Sequence, residues 1–122
     1  MEINEKYYHG FEGEPEMMFC LLENDVIVEK IGIWEGYFYF IMQLVQPEEE
    51  GWTGLAYFYH LCIGWYEEEN WMIPDLAEAY RQLANLNPGE LTEGEAGEAL
   101  VIIRNLLKRA IDKNGKVCIM YD

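Results

Sequence analysis

The side chains of this chain best suited to hold a metal or start a reaction are its three thiols and two imidazoles. His60 and Cys62 stand two apart in YHLC, and Cys20 and Cys118 could supply third and fourth ligands to zinc. None of the four belongs to a CxxC or HxxxH pair, and each lies in an apolar run, where a buried thiol or a hydrogen-bonded imidazole is an ordinary core residue. The expectation is therefore no metal and no cofactor. His9, in YYHG, reads as a solvated residue.

Nucleophilic and acid-base chemistry fare no better. The chain contains no serine, and its only threonines, Thr53 and Thr92, suit a turn and a helix N-cap. No glycine-rich phosphate loop sits between a strand and a helix. Paired carboxylates are plentiful, but catalysis needs two in unlike environments so that their pKa values part. Runs of three glutamates offer like environments, so no catalytic residues are assigned and no enzyme is expected.

The charge itself is the stronger signal. The net charge is −15, and residues 1–80 hold 17 Asp and Glu against only Lys6 and Lys30, whereas residues 81–122 balance six acids with six bases. A field of that sign disfavours DNA, RNA and anionic membrane, which need Lys and Arg to displace counterions. It favours a basic partner. Solubility requires only dispersed charge, yet EEEGW and WYEEENW set glutamate triplets beside large aromatics, where like charges repel. Aromatic anchors ringed by charge are how protein interfaces concentrate affinity. The predicted partner-binding residues are Glu48, Glu49, Glu50, Trp52, Tyr66, Glu67, Glu68, Glu69 and Trp71.

These residues need elements to carry them. At 122 residues with 51 per cent apolar side chains, the chain suits one globular domain, spanning 1–122. Residues 1–16, with Gly10, Gly13 and Pro15, read as a loosely held opening segment. MMFCLL at 17–22 and VIVEKI at 26–31 read as strands joined by the turn-forming Asn24 and Asp25. WEGYFYFIMQLV at 34–45 is apolar on both alternations and is expected as a central strand. GLAYFYHLCIGW at 54–65 is expected to return as its antiparallel neighbour, although Leu55, Phe58, Tyr59 and Cys62 would also make a helical face.

From Ile73 the period changes to that of a helix. Leu76, Ala79, Tyr80, Leu83 and Leu86 predict one over about 75–86, with Asp75 and Glu78 as a capping box and Asn87, Pro88 and Gly89 as its stop. A second follows from Thr92 and Glu95, with the stripe Ala96, Ala99, Leu100, Ile103, Leu106, Leu107, Ala110 and Ile111, and Gly115 at its end. Its early glutamates and late Arg104, Lys108, Arg109 and Lys113 match the helix dipole. KVCIMY at 116–121 closes the chain as a strand. The expected class is α+β, an antiparallel-rich sheet packed against about two helices.

The run WYEEENWMIPDLAEAYRQLANL, followed by a long capped helix and KVCIMYD, resembles the small acidic immunity proteins of bacterial polymorphic toxin systems, including contact-dependent growth inhibition. The likeness rests on element order, acidity, size and the GWYE…W…L pattern from Gly64 to Leu86. It implies a protein that binds and neutralises a cognate toxin domain, often a nuclease, and it carries no catalytic residues across. The odd cysteine count, the lack of a long apolar run and the acidic N-terminus point to the cytoplasm, with no membrane and no direct nucleic-acid contact. The rival reading is an acidic nucleic-acid mimic or adaptor with another basic partner, and a metal-binding module stands behind that.

Overall fold

A computed structural model describes residues 1–122. Strands β1 (Glu2–Tyr7), β2 (Glu16–Glu23), β3 (Val26–Trp34), β4 (Trp71–Met72) and β5 (Lys116–Tyr121) form one mixed sheet. Their order is β1-β3-β2-β5-β4. The β1/β3 pair is parallel and the other three are antiparallel. Helices α1 (Glu35–Leu44), α2 (Gly54–Leu61), α3 (Leu76–Ala84) and α4 (Ala96–Asp112) complete an α+β fold. No helix is long and apolar enough to cross a membrane.

The central hairpin follows its turn chemistry. Asn24 and Asp25 both take positive φ (52° and 62°), the combination a tight turn needs to match strand twist. Side chains on β2 then alternate. Met17, Phe19 and Leu21 enter the core with Ile31, Ile33, Val117 and Ile119, while Met18, Cys20 and Leu22 point to the other face. The long helix α4 lies across the core side of this sheet, burying Ala96, Ala99, Leu100, Ile103, Leu106, Leu107 and Ala110.

Several expectations require correction. Residues 35–44 are a helix and not a central strand: Tyr37, Phe38, Ile41 and Met42 are buried at helical spacing, while Tyr39 on the far side is 47% exposed. Residues 54–61 are also a helix, burying Leu55 and Ala56, so the helices number four instead of two. Cys62 closes α2 in the left-handed conformation (φ 55°), where its N–H donates to Tyr59 O and that of Ile63 to Phe58 O. Aromatic residues favour strands chiefly through the surfaces they pack on, and here those surfaces are helical.

The opening segment is likewise more ordered than its composition suggests, because β1 pairs along β3 at the sheet edge. The caps differ in detail. Asp75 does accept from the Glu78 N–H at 3.0 Å, but the Glu78 carboxylate turns away to accept from the Gly54 N–H at 3.1 Å, tying α3 to the start of α2. Thr92 caps nothing. α4 begins at Ala96, and the Tyr37 hydroxyl of α1 accepts from the Glu95 N–H at 3.3 Å in the place of an N-cap side chain. At its far end Asn114, not Gly115, takes the positive φ of 54°.

Candidate functional site

The two glutamate triplets bracket α2, a helix about 12 Å long at 1.5 Å per residue. Glu48 and Gly51 exchange backbone hydrogen bonds of 2.8 and 3.0 Å, which places Glu49 and Glu50 at the tip of a tight reverse turn. The second triplet follows a 3₁₀ turn at Gly64–Tyr66, whose Gly64 carbonyl accepts from the N–H groups of Glu67 and Glu68 at 3.0 and 2.9 Å. All six carboxylates are exposed, and none joins an ion pair.

Some acids elsewhere are engaged, although the exposed Glu2, Glu5, Glu90, Glu93, Glu95 and Glu98 also make no ion pair. Arg109 pairs with Glu29, Lys113 with Glu23 and Lys116 with Asp25, so four of the basic residues, with Lys108 on Asp112, are held by carboxylates of the scaffold. The loops flanking α2 hold the two blocks of three consecutive carboxylates, all without an ion pair.

The aromatic residues of the expected patch part company with the glutamates. Trp52 is half-buried and stacks on His60 with ring centroids 3.9 Å apart, so its loop lies along α2 as far as the last turn. Tyr66 is half-buried, and its hydroxyl donates to Glu35 Oε2 at 3.0 Å. Burial, then the Glu35 charge, raises its pKa above the usual phenol value. Trp71 is not a loop residue. It sits in β4 opposite Ile119, 7% exposed, tilted on Phe58 at 4.6 Å and edge-on to Trp65 at 5.5 Å. Gly64 makes room for it: a Cβ there would come within 3.1 Å of the Trp71 ring, at a φ of 73° that glycine alone adopts readily.

Sequence reasoning missed the cavity beside Trp52. Its volume is about 270 Å³, and its walls include Trp52, Tyr57, Phe58, Ile73, Asp75 and Glu78. Glu48 lines an adjoining groove that shares Thr53 and Glu78 with it. Tyr57 is 41% exposed at the mouth. The only sequence signal for this pocket was the spacing that made Asp75 and Glu78 a cap, and it gave no hint that α2 would pack alongside.

The thiols and His60 do not converge. Cys20 and Cys118 are cross-strand neighbours on β2 and β5, Cys62 is exposed at the end of α2, and His60 lies under Trp52 with its Nε2 unpartnered. No group of three or more His, Cys, Asp and Glu side chains is placed to hold a metal ion. Comparison with protein families, with curated proteins and with solved structures returned no match to this chain.

Proposed function

We propose that this protein is an immunity-type inhibitor that binds and neutralises a basic toxin domain, a nuclease foremost, in the cytoplasm of a bacterium. The observation that carries the reading is the set of six exposed glutamates without cationic partners, on ordered loops at the two ends of α2. A nuclease presents Lys and Arg to a phosphate backbone, and acidic loops can occupy that same surface. Such complementarity accelerates association by roughly 10 to 1,000-fold over a neutral encounter. Contact area near the charges comes from the half-buried Trp52, the exposed Tyr57 and the rim of the adjacent cavity. Trp71 serves the scaffold.

The test begins with the product of the adjacent reading frame, or with capture from the native host by the full chain. Against a basic toxin domain so found, exchanging Glu48, Glu49, Glu50, Glu67, Glu68 and Glu69 for Gln should slow association at least about 10-fold at low salt and flatten its salt dependence. Dissociation should change little. Unaltered association kinetics would remove these loops from the interface.

A further inference from the structure

The sheet face opposite the helices is rich in sulfur. β2 contributes Met18 and Cys20 to it, β5 contributes Cys118 and Met120, and β4 contributes Met72, because the register sets Met18 across from Met120, Cys20 across from Cys118, and Met72 across from Cys118. No helix lies over this face. Cys20 and Cys118 are nonetheless 0% and 2% exposed, covered by the neighbouring side chains, and Cys20 Sγ lies 3.4 Å from Met120 Sδ. Lys30 stands across from Cys20 on β3 and makes no ion pair, although it is one of only two cations in residues 1–80.

We propose that Cys20, Cys118 and Met120 form a binding site for a monovalent soft metal ion, Cu(I), with Lys30 balancing its charge. Two thiolates and a thioether are the donors that Cu(I) prefers. Zinc takes four ligands and finds only these two thiols. Binding is a proton exchange without redox change: both S–H bonds are lost, two Cu–thiolate bonds and one dative bond from the Met120 thioether form, two protons leave to solvent, and the bis-thiolate centre carries one net negative charge. Lys30 faces that charge. The unbranched side chains of Met18, Met72 and Met120 line the way in from the exposed side, where Met72 is 38% exposed.

The experiment uses the full chain with Cys62→Ser, which removes the one exposed thiol, kept reduced without oxygen and titrated with Cu(I) against bathocuproine disulfonate. One ion should be retained per chain, with release of two protons at pH 6 and an X-ray absorption shell of sulfur alone. Cys20→Ser and Cys118→Ser should each lose retention, and Met120→Leu should weaken it. Zn(II) should not be held. The proposal is overturned by retention no better than in the two serine variants, by nitrogen or oxygen in the metal shell of the parent chain, or by a Cys20–Cys118 disulfide forming in place of the metal complex. The absorption measurement requires no core substitution, so it decides even where a serine variant fails to fold.

Discussion

At the scale of single residues, Glu16 carries the most unusual chemistry on the scaffold. Its carboxylate bends over Gly32 on β3, where any Cβ would collide with Oε2, and that oxygen has no donor within reach. Burial, then a hydrogen bond with Glu5 that exists only when one of the two carboxyls is protonated, then the charges of Glu5 and Asp122, push Glu16 up to about 7. Unfolded, the same group ionises near 4.5. Below that value both states hold the proton and nothing is lost. As pH rises from 4.5 through 7 the unfolded chain gives up its proton first, so stability falls across this window and stays reduced above it. Glu16→Gln should therefore leave stability at pH 4 almost unchanged and raise it at pH 8 by about 1–2 kcal/mol, after discounting for solvent on the open side of the group. Urea titrations at the two pH values measure this, and a gain of equal size at both would refute the shared-proton account.

Among the elements, what the sequence made legible follows from how local each signal is. The β2/β3 hairpin, α3, α4 and β5 announce themselves through Asn24 and Asp25, through Asp75, and through period, all carried within a few residues. α1 and α2 do not, because Tyr37, Phe38, Tyr39, Phe40 and Ile41 are apolar on both alternations. Such a run fits a buried strand or a helix packed on several sides, and the choice falls to distant partners such as Phe19 and Trp65 against Phe38. Trp71 was misplaced for the same reason: its neighbours in sequence are loop-like, but its environment is set by pairing with Ile119, 48 positions away. The glutamate triplets were legible as exposed because a charge run needs no partner to stay in water. Asp75 joins the two kinds of signal, capping α3 locally and setting the Glu78 turn that meets Gly54 of α2. Asp75→Ala should cost about 1 kcal/mol, the usual loss for an N-cap. Because α2 leans on the same turn, hydrogen exchange should quicken in α2 as well as α3. Loss confined to α3 would show that the Glu78 link contributes little.

For the whole molecule, the free charge around α2 weighs on stability and, on the proposed reading, serves recognition. Two triplets of neighbouring glutamates, none paired, repel one another and add to a net charge of −15. Arg109, Lys113 and Lys116 do not relieve this, since they are held by Glu29, Glu23 and Asp25, and no other base forms an ion pair with a triplet glutamate. Replacing all six glutamates by Gln moves the net charge to −9 and removes those repulsions. Each neighbouring like-charge pair costs a few tenths of a kcal/mol, so the gain should be about 1 kcal/mol at low ionic strength, or roughly 4 °C in Tm for a domain of this size. Added salt screens the same repulsions, with a Debye length near 8 Å at physiological strength, so the difference between the two proteins should shrink as salt rises. Thermal melts across a salt series check this directly. A variant that melts higher yet associates more slowly with a basic partner would show that the triplets are kept at a cost to the fold, which is the pattern expected of charge retained for binding. If it instead melts lower, the glutamates hold the loops flanking α2 in place, and their clustering is structural.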